Sequence, residues 1–93
     1  MAVVVRLPAV LRAQAGGSSS ATVEGATIGE VIANLVTTYP GLDGQVLDDD
    51  GALRRFVNVY VNDDDVRYLQ QLDTKVDDGD VISILPAVAG GAG

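Results

Sequence analysis

Thr27-Ile28-Gly29-Glu30-Val31-Ile32-Ala33-Asn34-Leu35-Val36 carries the strongest structural signal in the chain. Thr27 followed three residues later by Glu30 matches a capping box, in which hydroxyl and carboxylate each satisfy a backbone N–H at a helix start. Behind the cap, Ile28, Val31, Ile32, Leu35 and Val36 fall at i, i+3, i+4, i+7 and i+8, one apolar stripe that has to be buried. Thr37 and Thr38 weaken the last turn through their branched Cβ, and Pro40-Gly41 stops the helix. A helix with a single apolar face calls for another layer to receive it.

On both sides of the helix the apolar pattern alternates, the period of half-buried strands. Val3, Val5 and Leu7 share one face and Val4 and Arg6 the other, until Pro8 ends the strand. Ala15-Gly16-Gly17-Ser18-Ser19-Ser20 reads as a turn and Ala21-Thr22-Val23-Glu24 as a second strand, giving an N-terminal hairpin with a loose connection of several residues. Leu42 to Arg55 reads as an irregular connection with a turn at Asp50-Gly51. Phe56-Val57-Asn58-Val59-Tyr60-Val61 is a strong strand. Asn62 to Asp65 turns it, and Val66-Arg67-Tyr68 is expected to return as a short antiparallel partner. Leu69 and Leu72 belong to a short crossing segment. Asp77-Asp78-Gly79-Asp80 is a tight turn whose glycine supplies a positive φ, and Val81 to Leu85 is a last strand with Ile82 and Ile84 inward. Pro86, lacking an N–H, is expected to end regular structure.

The order strand, strand, helix, strand, short strand, strand lets the last strand return parallel beside the first after a long crossover. It predicts an α+β fold of the β-grasp, ubiquitin-like type: a mixed sheet of about five strands covered on one face by one helix. Residues 1–85 form that domain, and residues 86–93 are expected to be a flexible C-terminal tail.

Composition restricts what such a domain can do. Ninety-three residues, 47% of them hydrophobic, suffice for one core. The chain has no Cys and no His, which removes disulfides, a thiolate nucleophile, cysteine-based metal centres and the commonest catalytic base. Ser18, Ser19 and Ser20 lack a base to activate them, Lys75 is the only lysine, and the serines read as linker. Gly16-Gly17 and Gly90-Gly91 are outside the spaced glycine pattern of a phosphate loop. The reading is therefore not an enzyme.

No metal site is expected either. Counting from Asp48, the fifth and sixth positions of a calcium loop fall on Ala52 and Leu53, and from Asp63 the fifth falls on Arg67. The Asp-rich turns read as carboxylates bonding local backbone N–H groups. Arg54, Arg55 and Arg67 form a small basic island that either pairs with neighbouring aspartates or meets a partner. Phe56, Tyr39 and Tyr60 are assigned to the core or the sheet surface.

Thirteen acidic against six basic side chains give a net charge of -7 at pH 7. That balance repels phosphate backbones and anionic lipid, so neither nucleic acid nor a membrane is an expected partner. It keeps the domain soluble and steers it toward basic patches on other proteins. No apolar run approaches the ~20 residues that span a bilayer, and Met1 to Arg6 lacks a signal-peptide pattern. A cytoplasmic location is the expectation.

The end of the chain, Pro86-Ala87-Val88-Ala89-Gly90-Gly91-Ala92-Gly93, has little area to bury. From Pro86 to Gly91 it reaches roughly 20 Å when extended, enough to enter a buried active site while the body stays outside. A frayed terminus without consequence has the same composition, so the residues alone leave both readings open.

Ile84-Leu85-Pro86-Ala87-Val88-Ala89-Gly90-Gly91 resembles the ending of the ubiquitin-like sulfur carrier proteins, the group that includes ThiS, MoaD and CysO. Together with Arg55-Phe56-Val57-Asn58-Val59-Tyr60-Val61-Asn62-Asp63 and Asp78-Gly79-Asp80, it is most similar to the CysO branch. The resemblance implies that an E1-like enzyme uses ATP to adenylate a terminal glycine carboxylate, and that sulfur then displaces AMP to leave a thiocarboxylate. Carried onto this chain, Gly91 would bear the sulfur, and Pro86, Ala87, Val88, Ala89 and Gly90 would be recognised along the partner's channel. The carrier would be a cosubstrate with no bound cofactor, the ATP belonging to the activating enzyme.

Ala92-Gly93 depart from the pattern, since they put the terminal carboxylate two residues too far out. Their removal by a JAMM-type metalloprotease is the expectation. The acceptor would be a synthase making cysteine, a thiosugar or another sulfur-containing metabolite, with thiamin thiazole and a role like the small subunit of molybdopterin synthase also open. A ubiquitin-like modifier joined to lysines and a non-covalent β-grasp binding module are the alternatives.

Overall fold

A computed structural model describes residues 2–55 and 57–86. Its strands are β1 (Ala2–Arg6), β2 (Ser20–Glu24), β3 (Val57–Val61), β4 (Asp64–Asp65) and β5 (Val81–Pro86); its helices are α1 (Ala9–Arg12) and α2 (Ile28–Thr38). They form one mixed sheet in the order β2-β1-β5-β3-β4. β1 pairs antiparallel with β2 and parallel with β5, with Val5 opposite Ile82. β3 pairs antiparallel with β5, with Val59 opposite Ile84. The last strand thus fills the centre of the sheet between the first strand and the third, the β-grasp arrangement that the element order predicts.

The Thr27 hydroxyl accepts the Glu30 N–H at 3.2 Å, as the capping box requires. The Glu30 carboxylate bonds the N–H of Ala26 at 3.1 Å, one residue ahead of the expected Thr27. Residues 26–28 run strand-like against 74–76, with the Ile28 N–H on the Thr74 carbonyl and the Val76 N–H on the Ala26 carbonyl. That pairing holds the cap extended, at φ −134° and ψ 164° for Thr27. Ile28, Val31, Ile32 and Leu35 are fully buried, and Val36 is half-buried at the edge of the stripe. They meet Val3, Val5, Val59, Ile82 and Ile84 in one core. Each buried side chain of this size stabilises the fold by about 1.5–3 kcal/mol.

Two expectations are corrected. The connection between β1 and β2 is an ordered piece of structure: α1 continues into a 3-10 turn, Ala13–Ala15, which buries Leu11 and Ala15. Gly16 and Gly17, at φ 66° and 85°, end it, and the Gly17 N–H returns to the Arg12 carbonyl at 2.7 Å. The pairing expected of Val66-Arg67-Tyr68 falls on Asp64–Asp65, opposite Tyr60 and Val61. Asn62, at φ 56°, reverses the chain within two residues. Residues Val66–Tyr68 then form a 3-10 turn that buries Val66.

The Asp-rich turns are built as expected. Asp48 Oδ1 accepts the N–H groups of Asp50 and Ala52, Asp65 caps the Arg67 N–H, and Asp80 accepts that of Asp77. Gly79 has φ 86°. Among the described residues, none of the groups of three or more acidic side chains is arranged to hold a metal ion, and no helix is long and apolar enough to cross a membrane.

Candidate functional site

β5 carries the chain to its C-terminal segment, and its two faces have different roles. Ile82 and Ile84 point into the core, while Ser83 and Leu85 point to the face that α2 leaves uncovered. The ladder continues to Pro86, which lies opposite Val57. The Asn62 N–H on the Val81 carbonyl marks that pair as hydrogen-bonded. By alternation Val57 and Pro86 form a non-hydrogen-bonded pair, in which a missing N–H costs the ladder with β3 nothing. Regular structure therefore reaches one residue beyond Leu85. Pro86, the one residue of the expected recognition segment 86–90 that falls within the described structure, is exposed at the strand end. Ala87, Val88, Ala89, Gly90, Gly91, Ala92 and Gly93 lie outside the described residues.

The strand opposite Pro86 is held by Arg67. Its guanidinium donates to the carbonyls of Arg54 and Val57, both at 2.8 Å, and to the Asn58 side chain at 2.5 Å. One planar cation thereby ties the start of β3 to the turn after β4. Arg54 in turn donates through Nε to the Gly44 carbonyl. The side chains of Arg54 and Arg67 are directed to carbonyls and an amide, in place of the expected aspartates. Arg55 is exposed beside them.

Around the root of the tail the sheet offers two kinds of surface. On the open face, register places Arg6 and Tyr60 on either side of Ser83 and Asn58 beside Leu85. Leu85 is 46% exposed. A hollow of about 320 Å³ beside it is lined by Arg6, Arg12, Ser83 and Leu85 among others, and a second of about 230 Å³ by Tyr60, Asn62 and Asp63. The result is an apolar spot flanked by two arginines on an otherwise acidic protein. Around the strand end lies a further hollow of about 190 Å³ between α1 and the ends of β3 and β5.

The sequence reading did not single out Arg6, Arg12 or Leu85. Alternation already put Arg6 on the face opposite Val3 and Val5. Arg12 was hidden by the loose-connection reading, and the i, i+4 spacing of the buried Leu11 and Ala15 was the available signal for the turn that presents it.

A sheet with a central last strand and one covering helix, ending exposed at the tail root, defines a ubiquitin-like β-grasp protein. The chain belongs to the ThiS family, whose model matches residues 5–91. It is 47% identical over 93 residues to the sulfur carrier protein CysO of Mycobacterium tuberculosis, an alignment that spans 98% of this chain and 100% of that one. The crystal structure of M. tuberculosis CysO superposes with a TM-score of 0.88 at 45% identity, covering 92% of this chain and 99% of the other. The same TM-score, 0.88, is found for the Amycolatopsis orientalis BexX/CysO complex, at 44% identity over 96% of this chain and 99% of that chain. The small archaeal modifier protein 3 of Haloferax volcanii is 42% identical over 66 residues, 71% of each chain. The chain is thus a homologue of proteins named as sulfur carriers.

Proposed function

We propose that this chain carries sulfur as a thiocarboxylate on Gly91, after removal of Ala92-Gly93. The observation that carries the reading is the ThiS-family match, which closes on Gly91 and leaves the last two residues beyond it. The architecture supports it, because β5 is gripped by neighbours on both sides and its end is exposed.

In the proposed cycle, a carboxylate oxygen of Gly91 attacks the α-phosphorus of ATP held by an E1-like enzyme and releases pyrophosphate. A sulfur nucleophile then attacks the acyl carbon and expels AMP. The carrier holds no cofactor of its own. Gly90 leaves the acyl carbon open to approach, and residues 86–90 occupy the enzyme's channel. Leu85 with Arg6 and Arg12 forms the contact on the open face, where a partner would bring an apolar anchor and acidic neighbours.

A synthase then takes the sulfur, in cysteine formation or in making a thiosugar or other sulfur-containing metabolite; the solved BexX/CysO complex supports docking of such a carrier on a partner protein. A JAMM-type metalloprotease performs the trimming, and the cycle runs in the cytoplasm.

The test compares the full chain with one ending at Gly91, each incubated with the activating enzyme, ATP and sulfide, by intact mass. Only the shorter chain is expected to gain the mass of one sulfur in place of one oxygen. Equal conversion of the full chain would refute the trimming step, and conversion of neither would refute the carrier reading. Similarity to a protein named as a modifier supports a second reading, in which Gly91 is joined to lysines of target proteins. It predicts a ladder of covalent adducts in cell extract that disappears when Gly91 is deleted.

A further inference from the structure

β2 and β4 are the two edges of the sheet, and they are built differently. β4 is two residues long and both are aspartate, a short charged edge that discourages pairing. β2 runs for five residues, Ser20–Glu24, without proline or lysine. Its register with β1 is unbroken, so no bulge turns it aside.

Alternation decides which backbone groups of β2 face outward. The Leu7 N–H donates to the Ser19 carbonyl at 2.8 Å, and the register runs from Arg6 opposite Ser20 to Ala2 opposite Glu24. Ala21 and Val23 therefore stand at hydrogen-bonded places with Val5 and Val3, and Ser20, Thr22 and Glu24 at the places between. The bonds of β1 to its other side agree: the Val4 N–H goes to the Asp80 carbonyl, and the Ala2 carbonyl takes the Gly79 N–H. The N–H and C=O groups of Ser20, Thr22 and Glu24 thus point along the sheet, away from β1. There the Asn34 side chain donates to the Glu24 carbonyl at 2.7 Å. Ser20 and Thr22 are exposed, with no further strand beside them among the described residues.

We propose that this edge pairs antiparallel with the same edge of a second copy, around a two-fold axis at Thr22. Thr22 then meets its own counterpart, and Ser20 of each copy meets Glu24 of the other. The side chains are complementary in that register. Arg6 lies opposite Ser20 and shares its face of the sheet, as do Thr22 and Glu24. Across the joint the row reads Arg6, Ser20, then Glu24 of the other copy, and the symmetry repeats it. The backbones of Arg6 and that Glu24 are roughly 10 Å apart, two strand spacings, which two long side chains span above the serine. Opposite charges and a threonine pair across strands both favour the joint. The net charge of -7 on each copy acts mainly at longer range, where physiological salt screens beyond about 8 Å. Two five-residue edges bury less than the ~1,200 Å² of a standard stable interface, so the pair is a reversible one. It is a property of the strand and does not rest on the sulfur-carrier reading.

Sedimentation equilibrium and ¹⁵N-resolved NMR of the full chain, from micromolar to millimolar concentration, test the pairing. A monomer–dimer equilibrium is expected, with amide shifts and slowed hydrogen exchange on concentration centred on Ser20 and Thr22. Thr22→Pro, which removes an N–H that β1 does not use, should abolish the dimer. Thr22→Lys, which sets two ammonium groups opposite one another, should do the same and covers the case in which the proline variant fails to fold. Arg6→Glu and Glu24→Arg should each raise the Kd about ten-fold, because each acts twice across the axis, and the double exchange should return it to within about three-fold of the parent. A chain that stays monomeric at millimolar concentration would overturn the proposal and leave the edge to an extended strand of another protein. A dimer that survives Thr22→Lys, or that the double exchange does not restore, would overturn it by placing the contact on another surface or in another register.

Discussion

Gly25, buried where β2 turns into α2, has no room for a side chain unless its neighbours shift. A Cβ built on it lies 2.7 Å from Val31 Cγ2, 2.8 Å from Val31 N and 3.1 Å from Val31 Cα. Rotation of Val31 removes the first contact at the expense of its place in the core. The other two are with backbone in the first turns of α2, and only a shift of the whole connection relieves them. The same connection carries the Ala26 N–H bond to Glu30 and the Asn34 side-chain bond to the Glu24 carbonyl at 2.7 Å, so movement there strains the helix cap as well.

Overpacking of this kind costs about 1–3 kcal/mol, and the reduced freedom of the unfolded chain returns about 0.4–1 kcal/mol. Gly25→Ala is therefore expected to destabilise by about 1–2 kcal/mol. That corresponds to a drop in Tm of about 5–15 °C for a domain of this size. In urea, followed by far-UV circular dichroism, the midpoint should fall by roughly 1 M with the slope unchanged. Gly29→Ala is the comparison. Its Cβ meets the Leu72 carbonyl at 3.2 Å, a displacement of tenths of an ångström, against a helix-propensity gain of up to ~1 kcal/mol. It should be near neutral. Equal stability of Gly25→Ala and the parent would refute the packing of the connection against Val31.

Arg67→Lys replaces a fork serving three acceptors with a point charge and should lower stability by about 1 kcal/mol, or a Tm loss of about 4–8 °C by calorimetry. Asn62→Ala leaves φ 56° to a residue without the short polar side chain that lets Asn adopt the left-handed region, and removes the side-chain acceptor of the Val81 N–H at 3.1 Å; a loss of about 2 kcal/mol in urea unfolding is expected. Thr27→Ala removes the helix cap and should cost about 1 kcal/mol by the same measurement. Arg6→Glu, exposed on the open face, should leave unfolding unchanged but weaken capture by the activating enzyme by about 5–30-fold in a salt-dependent manner, measured by titration. An unchanged affinity would remove the open face from the proposed contact.

Much of the fold was legible because it rests on short-range geometry. The stripe from Ile28 to Leu35, the cap at Thr27, the alternation through Val57 to Val61 and the glycine turn at Gly79 each follow from helix or strand period and local backbone preference. The proposed chemistry at the chain end was likewise readable only in sequence, through the resemblance of residues 84–91, because residues 87–93 lie outside the described structure.

Other features depend on pairing at a distance. α1 is too short to form by its own propensity and exists because Leu11 and Ala15 are buried by the body. Pro86 stays in β5 because the register with β3 gives it a non-hydrogen-bonded place opposite Val57. Arg6, Tyr60 and Leu85, on three different strands, meet on one face only after that register is set, and Arg67 finds its three acceptors only when the turn after β4 returns to the start of β3. Sequence period alone determined which face of each element is apolar. Tertiary pairing decided which polar and exposed groups stand together at the root of the tail, because that depends on inter-strand register, which no single element contains.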